Sequence, residues 1–261
     1  MKPLRTACFV LIGWLLTLPF TSVCANDLPR TLTFAMIPGN PFNRVGQPLI
    51  EAIYREVGIE ITVMETPPAR EIAMLSSGQL DGSMGRVAGL DDQVQEVTRI
   101  PVPLTHINLV VFSTLEQLPK LAQPSTATLR VGQLRGIDFG IESSRPVEVV
   151  FLDTTEQLMA VLAKRRIDVA IASELGGAFF VQTQNYANVR IVAKPLKVIP
   201  VYHYLHKKHV ALAPDVQRVM ERLQSSGYLE DQHNIFRAQL QLERIMLPAS
   251  QLVSNDTLRV E

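Results

Sequence analysis

The stretch Leu75-Ser76-Ser77-Gly78-Gln79-Leu80-Asp81-Gly82-Ser83-Met84 returns later in the chain as Leu162-Ala163-Lys164-Arg165-Arg166-Ile167-Asp168-Val169-Ala170-Ile171. In both, a helix-like run ends near a leucine, an aliphatic residue follows five positions on, and an aspartate comes directly after it. A strand-like run then begins. This is the pattern of a helix whose last turn packs on a sheet through the leucine, with the next strand starting at the aspartate. Two copies in one chain predict two similar α/β lobes. Two lobes leave a cleft between them, and such clefts are where small molecules bind.

The surroundings of each copy extend the pattern. Residues 32–36 and 59–64 read as strands. Between them Leu49, Ile50, Ile53, Tyr54 and Val57 recur at helical spacing, in a helix that starts near Gln47 and is closed by Gly58. A second helix covers about 69–77, with Gly78 as its C-terminal cap. Residues 80–84 and 107–112 read as further strands. The segment 116–128 contains Pro119, Pro124 and several small polar residues, which suits a crossing between lobes. Strands at 129–133, 147–152, 168–172 and 189–192 follow, and Thr154 with Gln157 forms a capping box for the helix carrying Leu158 and Leu162. Lys194-Pro195 marks the return, 198–205 a strand, and Pro214 and Leu229 open the last helices; beyond Pro248 the tail is polar and loose.

The order β-α-β-α-β, a crossing, β-α-β-α-β, then a return makes the second lobe an insertion in the first. The expected division is a leader at 1–25, lobe one at 26–113 and 195–261, and lobe two at 114–194. Each lobe is a mostly parallel sheet flanked by helices. A two-segment hinge at 112–118 and 192–198 would let the lobes close by rotation about a few backbone angles.

The first 25 residues read as a secretory signal peptide: basic Lys2 and Arg5, an apolar run from Phe9 to Leu18, and Val23-Cys24-Ala25 as the cleavage site. Lipidation at Cys24 is the weaker alternative, because Thr21 and Val23 are poorly suited to it. Both cysteines, Cys8 and Cys24, lie in this segment. The exported chain of about 236 residues then has no cysteine and relies on its core alone. Its net charge is about −2, with no basic block, which excludes nucleic acid as the expected partner. The expectation is a periplasmic monomer without cofactor.

The ordered features resemble the extracellular solute-binding proteins of family 3, the class that includes periplasmic amino-acid receptors of ABC transporters. The resemblance rests on Asn40-Pro41-Phe42, Leu75-x-x-Gly78-x-Leu80-Asp81, Leu134-Arg135-Gly136-Ile137, Leu162-x-x-x-x-Ile167-Asp168 and Ser226-Gly227-Tyr228-Leu229, in that order. It implies the two-lobed type II periplasmic binding fold, a small polar ligand, and an inner-membrane transporter or receptor as partner. The chain departs from the family at the clamp. The family's Thr-x-x-Arg element is replaced by Gly85-Arg86-Val87-Ala88-Gly89-Leu90-Asp91, and its second-lobe aspartate by Ser173-Glu174.

Six residues are candidates for the ligand site. Arg86 follows a strand directed at the cleft, where a guanidinium can grip a carboxylate through two parallel hydrogen bonds; a surface pair with Asp91 or Asp92 is the alternative. Arg70 sits in the first turn of its helix, a poor place for a cation beside the helix dipole. Phe42 covers a flat part of the ligand or packs beneath the first long helix. Arg135 and Gly136 lie in a loop after a strand, suited to an anion. Glu174 is the acceptor for an ammonium, or else a solvated acid at a helix start. His203, His206 and His209 suggest a metal by spacing, but on a strand His203 and His206 face opposite sides, and Lys207 and Lys208 repel a cation. No G-x-S-x-G, H-E-x-x-H, P-loop or cysteine nucleophile is present. The expected role is capture of a small anionic or zwitterionic, amino-acid-like solute. Alternatives of other classes are an exported dehydratase-like enzyme acting on a small carboxylic acid and a sensory module without transport.

Overall fold

The computed structural model describes residues 29–121, 123, 125–135, 140–254 and 258–260. The expected leader and Gly136 lie outside the described residues. The chain opens with β1 (Thr31–Met36), α1 (Asn43–Val57), β2 (Glu60–Glu65), α2 (Pro68–Ser76), β3 (Gly82–Val87) and the short α3 (Leu90–Gln93). The long β4 (Val97–Thr114) leads to α4 (Leu118–Leu121), β5 (Leu129–Leu134), β6 (Ile141–Ser143), β7 (Val147–Leu152), α5 (Thr155–Ala163), β8 (Val169–Ser173), α6 (Glu174–Thr183) and β9 (Val189–Ile191). Then come β10 (Lys197–His206), α7 (Ala213–Ser225), α8 (Tyr228–Gln239), α9 (Leu242–Ile245) and β11 (Leu258–Val260).

The repeated motif builds the same unit twice. β1 lies between β2 and β3, all parallel, and β5 lies between β7 and β8, all parallel. Leu75, Leu80, Leu162 and Ile167 are each 0 % exposed. The Asp81 N–H donates to the Thr33 carbonyl at 2.9 Å, while the Asp81 carboxylate accepts the Thr33 N–H at 2.7 Å. In the second copy, the Asp168 N–H donates to the Arg130 carbonyl at 2.9 Å and its carboxylate accepts the Arg130 N–H at 2.9 Å. Each aspartate therefore clips the start of a new strand to the central strand of its unit. The turn before it needs one left-handed residue, supplied by Gly78 at φ 73° and by Arg165 at φ 58°. Glycine takes that conformation without strain and arginine does not, so the second copy hides its turn from sequence inspection.

The two units meet along β4 and β10, which pair antiparallel. β4 carries β10 from Val97 to Leu109, gains β8 from Leu109 to Ser113, and pairs β9 from Phe112 to Thr114. A nine-stranded sheet results, in the order β2-β1-β3-β10-β4-β8-β5-β7 with β9 on β4. β4 starts ten residues before the predicted strand, and the added stretch contains Pro101 and Pro103. They are tolerated because this part of β4 pairs β10 and forms an edge, where a missing N–H goes unused. Residues 112–114 are likewise strand rather than linker: Phe112, Ser113 and Thr114 are buried, and only Leu115 begins a 3-10 turn.

The end of the chain differs from the expected division too. The stretch after α9 packs on the second unit, although the sequence assigns all of 195–261 to the first. The Leu247 N–H donates to the Ile191 carbonyl, the Val253 N–H donates to the Val192 carbonyl, and β11 pairs with β6. Leu247 and Leu258 pack in a cluster with Val131, Val169 and Ile171. That sheet face is apolar and has to be covered, which explains why a tail of polar appearance is held down by its few leucines and valines.

Candidate functional site

α2 begins at Pro68, whose fixed φ suits the first helical turn. Its inward face is set by Leu75. Glu71, four residues earlier, lies on that same face and is buried with it. Arg70, one position away, is exposed. Arg86, near the end of β3, reaches back over α2, and its Nη1 donates to Glu71 Oε2 at 3.1 Å. The expected alternative partner, Asp91, instead lies 4.0 Å from Arg99 and accepts from the Tyr204 hydroxyl.

On the second unit, Ser173 caps α6 by accepting the Gly176 N–H at 3.1 Å. Glu174 is the first residue of that helix and is buried, rather than solvated. Its Oε2 accepts from Asn108 Nδ2 at 3.0 Å and from Arg237 Nη1. Arg237 comes from α8, which also brings His233 behind the cleft. The His233 ring stacks on His106 with centroids 4.3 Å apart, and its Nδ1 lies 3.0 Å from the Thr105 hydroxyl. Burial, reinforced by the neighbouring His106 and Arg237, pushes the His233 pKa down to about 4. His106 itself lies 3.9 Å from Glu230.

These elements enclose a cleft of about 570 Å³, a size that suits a small ligand. Its lining includes four of the predicted site residues, Phe42, Arg86, Arg135 and Glu174, together with His106 and Asn108. Phe42 lines the cleft and also packs against the hydrophobic core. Arg135 lies at the rim, where its Nε donates to Asp153 at 2.9 Å and both side chains are mostly exposed. Arg70 is not in the lining. The charges come as matched pairs, so the cleft carries no large net field.

Sequence reading missed Glu71, Asn108 and Arg237. Glu71 had a signal, since it stands four residues before a leucine assigned to the buried face. Asn108 had a weaker one, as an amide in the middle of an apolar strand. Arg237 had none, because its partner is sixty-three residues away in sequence. Among the described residues, no group of three or more His, Asp or Glu is placed to hold a metal ion. His203, His206 and His209 serve separate partners: the Tyr54 hydroxyl at 2.8 Å, the Lys208 N–H at 3.0 Å and the Asp81 carboxylate at 2.7 Å. Among the described residues, no helix is long and apolar enough to cross a membrane.

No protein-family model matches the chain. A curated protein of Shewanella oneidensis, described only as uncharacterized, is 26% identical over 225 residues, covering 81% of this chain and 83% of that protein. Among solved structures, the GluR0 ligand-binding core in complex with L-glutamate is similar with a TM-score of 0.63 at 12% identity, covering 79% of this chain and 97% of its own. A histidine kinase sensor domain with similarity to periplasmic binding proteins follows at TM-score 0.59 and 13% identity, over 79% and 96% of the two chains. The amino acid ABC transporter substrate-binding protein AbpA of Streptococcus pneumoniae, bound to L-arginine, has a TM-score of 0.57 at 18% identity, over 81% and 96%. The fold is thus the two-lobed type II periplasmic binding fold expected from the sequence.

Proposed function

We propose that this chain is an exported solute-binding protein that captures a small zwitterionic or anionic, amino-acid-like molecule in the cleft. One observation carries the reading: Phe42 and Arg86 of the first unit and Arg135 and Glu174 of the second line one cavity of ligand size. Arg86 receives the solute's carboxylate and Glu174 its ammonium. The lobes rotate about β4 and β10, and the bound solute stabilises the closed arrangement, which an inner-membrane partner recognises. The protein works as a periplasmic monomer, without cofactor and without catalysis, after removal of its leader. The test is a thermal-shift and calorimetric screen against amino acids, organic acids and polyamines, followed by Arg86→Ala. Loss of the charged hydrogen bond weakens binding by at least about 1.5 kcal/mol. Unchanged affinity removes Arg86 from the site, and turnover of a small acid would favour the enzyme instead.

Likeness to a histidine kinase sensor domain supports a second reading, in which the same closure is read by a receptor rather than a transporter. Uptake of labelled solute by cells lacking the gene separates the two. Uptake falls if the partner is a transporter and stays constant if it is a receptor.

A further inference from the structure

The cleft region holds two buried carboxylates, one from each unit, and each has an oxygen that accepts from none of the described residues. We infer that the captured solute carries two amino groups, one ammonium held by Glu71 and the other by Glu174. This rests on the solute-binding reading above and replaces its zwitterionic or anionic solute with an amino acid that carries a second ammonium and a net charge of about +1.

Glu71 and Glu174 are each 1 % exposed. In both, Oε2 is the engaged oxygen, with Arg86 in one case and with Asn108 and Arg237 in the other. Oε1 of each is buried and accepts no hydrogen bond among the described residues. A carboxylate offers about four lone-pair positions, and burying one of its oxygens without a donor is unfavourable. Each acid is already balanced in charge by an arginine. What each Oε1 lacks is therefore a hydrogen-bond donor, and a ligand anion would meet only another acceptor there.

The space beside Glu71 has the right size for such a donor. A recess of about 20 Å³ lies against Glu71 and Ser83, room for one water-sized group. An ammonium head is that size. The recess shares Asn40, Phe42, Gly85 and Arg86 with the larger cleft, so a molecule lying in the cleft can extend an amine into it. Arg86 uses Nη1 on Glu71 and is 20 % exposed, which leaves its outer N–H groups for a carboxylate. The ligand class that satisfies all three groups is an aliphatic diamino acid. Because the two acids belong to different units, a molecule that bonds both holds the units together.

Calorimetry on the purified chain with three probes tests this. L-Ornithine has both amines and the carboxylate, L-norvaline lacks the distal amine, and 1,4-diaminobutane lacks the carboxylate. Ornithine is expected to bind at least tenfold more tightly than norvaline, with diaminobutane weaker than ornithine by the loss of the Arg86 contact. Glu71→Gln and Glu174→Gln should each reduce the ornithine-to-norvaline ratio to near one. If either variant melts lower without ligand, the ratio in the parent protein decides alone. Equal binding of ornithine and norvaline overturns the diamino assignment and leaves solute capture intact. No binding by these probes or by any member of the amino-acid and organic-acid screen overturns both. A liganded crystal with water on both Oε1 atoms also overturns the assignment.

Discussion

Asp168→Ala tests how the repeated motif holds the fold. The Asp168 carboxylate accepts the Arg130 backbone N–H at 2.9 Å, the Arg130 Nη2 and Nε at 3.2 and 3.3 Å, and Gln117 Nε2 at 3.2 Å. The Arg130 side chain is 40 % exposed, so solvent screens the ion pair to below about 1 kcal/mol. The other two donors matter more. Gln117 is buried, the Arg130 N–H sits inside the sheet, and an enclosed donor left without its acceptor costs about 1–3 kcal/mol. Alanine should therefore destabilise the second unit by about 3 kcal/mol, and Asp168→Asn, which keeps an oxygen in place, by about 1 kcal/mol. Asp81→Ala, which strips the Thr33 N–H, Lys208 and His209 of their acceptor, should cost the first unit a similar amount. Urea unfolding followed by far-UV circular dichroism reads both, since the single tryptophan, Trp14, lies outside the described residues. Alanine variants within about 0.5 kcal/mol of the parent, the range of ordinary surface changes, would refute the view that these carboxylates clip the strands.

Gly82→Ala should unfold or severely weaken the first unit, since a Cβ there would lie 2.2 Å from the Tyr204 carbonyl oxygen and 2.9 Å from the Phe34 ring. The backbone oxygen cannot retreat without breaking the β3–β10 pairing, so a loss of about 3 kcal/mol or more is expected by thermal melting, and a parent-like melt would contradict it. Stability should also fall between about pH 6.5 and pH 4. Burial pushes His203 and His233 down to about 4 in the folded chain, so below about pH 6.5 the unfolded state binds protons that the folded state does not. Stability is complete above that window and declines as pH drops through it. A flat urea midpoint from pH 7 to pH 5 would count against both buried histidines. In the opposite class, burial acts to raise the Asp81 pKa, but its hydrogen bonds with Thr33, Lys208 and His209 prevail and hold it below its usual value. Its contribution is present above the ordinary carboxylate range and is lost only at more acidic pH, outside the histidine window.

Much of the fold was legible because it is local. The leucine, the aliphatic residue and the aspartate of each copy are near neighbours in sequence, and their spacing encodes a helix end, a turn and a strand start. The lining of the candidate cleft was legible in part for the same reason. Arg86, Glu174, Phe42 and Arg135 all sit where a strand, helix or loop end must face the cleft. Arg70 and Glu71 show the limit. Arg70 carries a charge poorly placed beside the helix dipole, but its exposure follows from helix phase, and Glu71 takes the inward direction that Leu75 already marks.

By itself the sequence determined two similar α/β units and the strand ends that face each other, since alternation and helical periodicity act between residues a few positions apart. Only the tertiary structure decided that β4 serves both units, that the polar-looking tail seals the second, and that Arg86 is held by Glu71 and Glu174 by Arg237. Those outcomes depend on which distant surfaces become buried together and which charges then lack water. Such pairings are set by the assembled shape, and no local pattern encodes them.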